Sequence, residues 1–282
     1  MKLINTFVIN EGTKLFVTLY PNPDKESVIL LHGGPGLPDS MPAIMEHLSE
    51  KYNVILFHQR GTLKSPCLNN DYSLEKYISD IVSIARHFNL PSFHLLGHSW
   101  GGLYAQIFAA KHQNLVLSLF IISPAPGTGK QWKEGMSEVT AYHKSMSSAI
   151  GLVEMAIAAT LGVFGMDEGY QKLFARMAIN FNKRFKTSEV SSFEISCVMA
   201  KPILPTSKAI LKYPLLEPIA SPNIKITVLF GDDDIIGKSR KYIYERLPKA
   251  IFHIVPQSGH LPWLHNPEVF FTILNGHYNL NH

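Results

Sequence analysis

Short, continuous apolar runs recur in the first and last parts of the chain, separated by segments with a different pattern. Runs of roughly four to eight apolar residues are typical of strands that a sheet buries on both faces. They are SVILLHGG (27–34), YNVILFHQRG (52–61), SFHLLGHS (92–99), LVLSLFIISP (115–124), NIKITVLFG (223–231) and AIFHIV (250–255). Residues 2–10 and 13–21 instead alternate apolar and polar positions around a Glu11-Gly12 turn, which predicts an opening β-hairpin.

Helix-patterned segments lie between several of these strands. The predicted helices span Met41–Lys51, Ser73–Asn89, Trp100–His112 and Pro267–Asn275. Alternating strands and helices favour an α/β fold with a mostly parallel, doubly wound sheet. In such sheets, ligands bind at the carboxyl ends of the strands.

Between Ala125 and Leu215 the alternation stops, and the sequence becomes helical without convincing strands. We therefore predict a core domain made of residues 1–124 and 216–282, with residues 125–215 inserted as a helical cap. Residues 149–166 are the most apolar part of this insertion, but Glu154 and three glycines interrupt them. That stretch barely reaches the length of a membrane span, so a buried helix is predicted instead.

Composition narrows the class of protein. The chain of 282 residues is 46% apolar and 17% charged, as expected for a globular protein, and its formal charge of +4 is spread along the sequence. Because the charge is spread out, we expect neither a nucleic-acid partner nor a membrane partner. The two cysteines are too few for a disulfide framework, and residues 1–10 lack a secretory signal pattern, so a cytoplasmic location is expected.

A serine flanked by glycines carries the clearest chemical signal. Ser99 follows an apolar strand and precedes a helix, with Gly97 and Gly101 on either side. This is the Gly-x-Ser-x-Gly nucleophile elbow in its expected setting. Because a serine hydroxyl is a weak nucleophile at neutral pH, it requires a base, and that base requires a group to orient it.

The two partners are expected later in the chain, each in a loop that follows a strand. His260 follows the last strand and a glycine, so it is the candidate base. The acid is one of the aspartates after Gly231, and we favour Asp234 over Asp233 because it lies three residues past that glycine.

A third requirement is a pair of donors for the oxyanion that forms during acyl transfer. The glycine-rich stretch 32–36 follows the third strand, where such a loop is expected. We assign the donors to the backbone amides of Gly34 and of Trp100, the residue after the serine. No phosphate-loop or metal-ligand spacing is present, so neither a cofactor nor a metal is predicted.

These motifs together resemble the α/β-hydrolase superfamily. HGGPG (32–36), QRG (59–61) and GHSWGG (97–102) are similar in particular to the proline iminopeptidase branch, and the resemblance covers nearly the whole chain outside the cap. It implies an α/β-hydrolase fold and serine hydrolase chemistry. The chain departs from that branch at His58, where an aspartate is usual, and at His98 and Gly102 in the elbow.

Two cap residues are candidates for substrate binding. The resemblance implies cap glutamates that hold the substrate's terminal ammonium, and Glu194 lies at a similar distance from the serine, although its neighbours differ from that branch. Six of the nine methionines also fall in the cap, and of these Met155 is the candidate for an apolar substrate surface.

The sequence therefore predicts a serine hydrolase that acts through an acyl-enzyme on a bulky, apolar carboxylic ester or lactone, which includes macrolide-type lactones. The main alternative is an aminopeptidase that releases an amino-terminal residue such as proline from a short peptide. An acyltransferase and a ligand-binding protein of the same fold without catalysis also stay open, because architecture alone does not guarantee activity.

Overall fold

One mixed sheet forms the centre of the molecule. The computed structural model describes residues 2–185, 192–219 and 223–280. Within them, eight strands pair in the order β1-β2-β4-β3-β5-β6-β7-β8. The strands are β1 (Ile4–Asn10), β2 (Thr13–Tyr20), β3 (Ser27–Leu31), β4 (Asn53–Phe57), β5 (Phe93–His98), β6 (Val116–Ile122), β7 (Lys225–Gly231) and β8 (Ile251–Val255). The β1–β2 and β2–β4 pairs are antiparallel, and every other pair is parallel.

Helices cover both faces of this sheet and form the segment between β6 and β7. They are α1 (Pro42–Ser49), α2 (Leu74–His87), α3 (Trp100–Lys111), α4 (Gly129–Met146), α5 (Ala149–Val163), α6 (Asp167–Asn182), α7 (Ile203–Lys212), α8 (Lys241–Arg246), α9 (Pro262–His265) and α10 (Pro267–Tyr278). The predicted α/β-hydrolase fold, with a mostly parallel and doubly wound sheet, is confirmed.

The central strands are apolar because helices bury them on both sides. Every residue of β3 and β4 is buried. The parallel pairing of β3, β5, β6, β7 and β8 brings their carboxyl ends to one edge of the sheet. The loops that carry Gly34, Ser99, Asp234 and His260 all leave from that edge.

The predicted cap contains helices α4 to α7, and its residues 186–191 lie outside the described part of the chain. For residues 149–166 the predicted helix is present, but the prediction that this helix is buried is wrong. Helix α5 forms there, but Ile150 and Val153 are 74% and 60% exposed, because α5 packs chiefly on α6 and not on the sheet. Among the described residues, no helix combines the length and apolar character that crossing a bilayer requires.

The QRG motif has a structural explanation in a buried ion pair. Arg60 and Asp80, whose side chains are 1% and 0% exposed, form two hydrogen bonds of 2.8 and 2.6 Å. Arg60 also donates to the carbonyl of Asp71, and Asn10 donates to Asp80. The motif therefore fastens the loop after β4 to helix α2.

Replacing Asp80 with alanine is expected to lower the free energy of unfolding by about 3–5 kcal/mol, because Arg60 would then be buried without its partner. Urea denaturation would measure the change. The matched control is Glu154→Ala, which breaks an ion pair with Arg176 whose side chains are 52% and 41% exposed, and its expected effect is below about 1 kcal/mol. Equal losses in the two variants would show that burial of the Asp80 pair is not what stabilises it.

Candidate active site

Ser99 lies on a sharp turn between β5 and α3. Its backbone has φ 55° and ψ −117°, a conformation that L residues rarely adopt. The turn needs its two glycines, since a Cβ on Gly97 would lie 2.4 Å from the carbonyl oxygen of Gly101, and one on Gly101 would lie 2.0 Å from that of Leu31. The tight turn presents the Ser99 hydroxyl at the carboxyl edge of the sheet.

The structure brings three of the predicted residues together. Nδ1 of His260 lies 2.9 Å from Oδ1 of Asp234, and Nε2 of His260 lies 2.9 Å from Oγ of Ser99. A carboxylate only accepts hydrogen bonds, so Nδ1 of His260 donates to it. In that tautomer Nε2 carries the free electron pair and accepts the hydrogen bond from the Ser99 hydroxyl. This geometry can transfer a proton from serine to imidazole.

The two candidate aspartates have different surroundings. Asp234 is buried against His260, whereas Asp233 forms an ion pair with Arg184 in which the aspartate side chain is 45% exposed. Burial alone would raise the pKa of Asp234, but the nearby imidazole of His260 and hydrogen bonds from His260 and the Ile236 amide lower it below its ordinary value. Asp234 is therefore suited to hold a negative charge beside His260.

Two neighbours hold the histidine loop in place. The carboxylate of Asp232 accepts hydrogen bonds of 2.9 Å from the amides of Gln257 and Ser258, just before His260. Nε2 of His98 donates to the carbonyl of His260 over 3.0 Å. Burial and the neighbouring His260 lower the pKa of His98 well below its ordinary value, so it stays neutral.

The predicted oxyanion donors lie near the serine. Gly34 lines the same cavity as Ser99, and Trp100 is the first residue of α3, so its amide has no acceptor within the helix. Neither amide donates a hydrogen bond within the described residues. The Trp100 indole donates to Gln59, which in turn donates to the carbonyl of His32, over 2.8 Å in each case. This chain of contacts ties the glycine-rich loop to the elbow.

An apolar cavity of about 160 Å³ lies beside Ser99, His260 and Gly34. Cap residues supply most of its apolar lining, which includes Trp132, Met136, Phe174, Met177, Phe181 and Ile203. Ligand pockets for drug-sized molecules usually measure roughly 300–1,000 Å³. With the cap in this position, the cavity is smaller than the pockets that usually hold drug-sized ligands.

The two cap residues predicted to bind substrate, Met155 and Glu194, do not line the cavity beside Ser99. Met155 lines a separate hollow between α5 and α6 with Ile157 and Arg176, because its side chain lies on the face of α5 that packs on α6. Met136 and Met177 line the cavity instead. Glu194 is absent from the lining, since its carboxylate accepts hydrogen bonds from His58 and Lys64. The hydrogen bond from His58, together with Lys64, lowers the pKa of Glu194 to about 2.

Several supporting residues were missed at the sequence level. Ser123 directly follows β6 in a left-handed conformation with φ 46°, and its buried hydroxyl is one of the groups near Asp234. No pattern singles out Ser123 or Asp232 in advance. Gln59 belongs to the QRG motif, which is the one signal that could have indicated its role.

Known proteins match both the sequence and the fold. Residues 26–150 match the family model for the alpha/beta hydrolase fold. The chain is 25% identical over 284 residues to a proline iminopeptidase from Heyndrickxia coagulans, and the match covers 96% of each chain.

Solved structures of similar shape include VinJ, with a TM-score of 0.71 and 16% identity over 97% of each chain. The carboxylesterase CesB from Bacillus subtilis has a TM-score of 0.66 and 16% identity, and the match covers 100% of this chain and 93% of that one. At these identities the structural likeness shows the fold and not the substrate.

Proposed function

Since this chain has the α/β-hydrolase fold, we propose that it is a serine hydrolase that cleaves carboxylic esters with an apolar acyl group. The observation that carries the proposal is the continuous hydrogen-bonded path from Asp234 through His260 to Ser99, with 2.9 Å at each step. The path opens onto an apolar cavity. The match to the alpha/beta hydrolase family model supports hydrolase chemistry as well.

In the proposed mechanism, Oγ of Ser99 attacks the ester carbonyl while Nε2 of His260 takes its proton. Asp234 orients the imidazole and stabilises the imidazolium that forms. The amides of Gly34 and Trp100 hold the negative oxygen of the tetrahedral intermediate. His260 then protonates the departing alcohol, and a water molecule releases the acyl group from Ser99 by the same steps in reverse order.

The electrostatics of the cavity favour an ester over an amino-terminal peptide. A substrate with a free terminal ammonium needs a carboxylate to offset the loss of its hydration. The described residues that line the cavity include no aspartate or glutamate. Glu194 is already paired with His58 and Lys64, so it has no free oxygen directed at the substrate.

The cavity volume limits the part of the substrate that fits beside Ser99. The cavity measures about 160 Å³, below the roughly 300–1,000 Å³ of pockets that hold drug-sized ligands. We therefore propose a short apolar acyl group. This narrows the sequence-level expectation of a bulky ester or lactone, because a macrolide-type lactone would require the cap to move away from the sheet.

Prolyl aminopeptidase activity is the second candidate. It is favoured by the 25% identity to the proline iminopeptidase of Heyndrickxia coagulans and by the HGGPG motif. The substitution of His58 for the usual aspartate and the paired state of Glu194 weigh against it.

A substrate panel tests the choice between these activities. We expect kcat/KM for p-nitrophenyl butyrate to exceed that for proline p-nitroanilide by at least about a hundredfold, because the cavity offers no partner for the ammonium. Within the ester series, octanoate and palmitate are expected to react more slowly than butyrate.

Glu194→Gln is the companion variant for this panel. If proline p-nitroanilide is the better substrate and Glu194→Gln strongly raises its KM, the ester proposal is wrong and the aminopeptidase is correct. We also propose that the substrate is a small molecule and that the protein acts in the cytoplasm.

A further inference from the structure

Three ligand-type side chains converge at the boundary between the core and the cap, apart from the cavity beside Ser99. They are His58, Glu194 and Cys197, and one ligand atom of each lies within 4.8 Å of the others. His58 and Cys197 are 1% and 5% exposed, and none of the three lines the Ser99 cavity. Ester hydrolysis as proposed above does not use any of them.

Local backbone structure explains why two of these groups share a direction. Glu194 precedes a short 3₁₀ turn, Ile195–Cys197, and the Cys197 amide donates to the Glu194 carbonyl over 2.8 Å. In a 3₁₀ turn the side chains of residues three apart lie above one another. The Glu194 carboxylate and the Cys197 sulfur therefore point the same way, toward the end of β4 where His58 lies.

The three ligand groups lie near one another, on the scale of a metal site. Zinc binds sulfur at about 2.3 Å and nitrogen or oxygen at about 2.0–2.2 Å, so two of its tetrahedral ligands lie roughly 3.3–3.8 Å apart. Here Nε2 of His58 is 3.0 Å from Oε1 of Glu194, and Sγ of Cys197 is 3.5 Å from Oε2. One ligand atom of each residue lies within 4.8 Å of the others, so zinc binding would require the three side chains to close by about 1 Å.

We propose that His58, Glu194 and Cys197 bind one zinc ion that fastens the cap to the core. A thiolate, an imidazole and a carboxylate form a donor set that suits zinc, with water as the fourth ligand. The metal-binding residues lie far apart in the chain, since 136 positions separate His58 from Glu194. No spacing motif could therefore indicate this site from the sequence.

The protons of the site can be accounted for. In the metal-free site the carboxylate accepts hydrogen bonds from His58 Nε2 and from the Cys197 thiol. Zinc binding forms bonds to sulfur, nitrogen and oxygen, releases the thiol proton to solvent, and requires the imidazole proton on Nδ1. Nδ1 of His58 has no hydrogen-bond partner among the described residues, so a proton there meets no competing donor but remains an unpaired buried donor, which costs part of the binding free energy.

A positive charge competes with zinc at this site. The ammonium of Lys64, whose side chain is 39% exposed, donates to Oε2 of Glu194. Zinc must displace this ion pair before the carboxylate can become a ligand. Removing the ammonium is therefore expected to strengthen zinc binding, an outcome that a simple hydrogen-bonded cluster does not predict.

Bound zinc would also steady the loop that lines the cavity. The Glu194 amide donates to the carbonyl of Pro38 over 2.8 Å, and Ser40 donates its amide to the carbonyl of Ser192 over 3.3 Å. Leu37, which directly precedes Pro38, is part of the lining of the cavity beside Ser99. Fixing Glu194 and Cys197 to His58 would therefore hold this loop against the cap.

The experiment is a titration of the full-length, chelator-treated protein with Zn²⁺ alone, with the affinity measured by competition against a chromophoric chelator. We expect one zinc ion per chain and an increase in Tm, since an ion that binds only the folded state stabilises it. Cys197→Ser is expected to weaken binding by at least about tenfold. Cys67→Ser changes the other buried cysteine and is expected to leave it unchanged. Lys64→Met is expected to tighten binding.

The readouts separate this site from the hydrolase proposal, because affinity and Tm are measured without any substrate. Cobalt(II) provides a second readout, since a cobalt–thiolate charge-transfer band is expected in the wild type and in Cys67→Ser but not in Cys197→Ser. The proposal is overturned if the wild type does not bind zinc, or if Cys197→Ser binds it as tightly as Cys67→Ser does.

Discussion

Replacing Ser99 with alanine is expected to lower kcat/KM for ester hydrolysis by at least about ten-thousandfold. The hydroxyl is the atom that attacks the carbonyl in the proposed mechanism, and alanine removes it without adding bulk to the turn. The hydrogen bond from Ser99 to Nε2 of His260 is also lost. The fold should persist, because the backbone contacts of the elbow do not involve the Ser99 hydroxyl.

The matched control is Ser207→Ala, since Ser207 lines the same cavity from helix α7. Its expected change in kcat/KM is within roughly threefold, because the residue has no part in the proposed proton transfer. Steady-state rates with p-nitrophenyl butyrate measure both variants. If Ser99→Ala keeps its activity, Ser99 is not the nucleophile. An equal loss in both variants would also contradict the proposal, because it would show that the loss is not specific to the Ser99 hydroxyl.

The second large effect is expected for Asp234→Asn, which should lower kcat by up to about ten-thousandfold. An amide of nearly the same shape replaces the buried carboxylate, so the change affects charge and hydrogen bonding more than packing. The neutral amide cannot stabilise an imidazolium at His260. It can also turn its NH₂ group toward Nδ1, which would favour the wrong tautomer of the ring.

Asp233→Asn is the control for this variant, because it changes the neighbouring residue in the same way. Asp233 pairs with Arg184 at the surface, and within the described part of the chain the carboxylate bonded to His260 is that of Asp234. Its expected effect on kcat is at most roughly twofold to threefold. A larger loss of kcat in Asp233→Asn than in Asp234→Asn would show that Asp233, and not Asp234, is the acid that orients His260.

The strands of the fold could be predicted well because their signal is local. A strand that helices cover on both faces must be apolar throughout, and β3 and β4 are buried at every residue. Helix ends were less accurate. The helix predicted at 73–89 spans Leu74–His87, and the last helix continues past residue 275 to Tyr278. Short helices such as α8 gave no periodic pattern to detect.

The contacts within the site could be predicted only in part, because they depend on tertiary packing that no local sequence pattern indicates. Ser99, Asp234 and His260 could be named because each follows a strand whose end lies at the same edge of the sheet. Met155 and Glu194 could not be placed, since the rotation of a cap helix and the partner of a single carboxylate follow from tertiary packing. The pairing of Glu194 with His58 is the clearest case, because it joins the cap to the core.

The central claim is that the Ser99 hydroxyl is made nucleophilic by His260, and labelling with a fluorophosphonate probe tests it most directly. The intact mass of the protein, followed by peptide mapping, is compared for the wild type, Ser99→Ala and Ser207→Ala. The account predicts one adduct per chain on the peptide that contains Ser99, present in Ser207→Ala and absent from Ser99→Ala. An adduct on another residue, or equal labelling of Ser99→Ala, would contradict it.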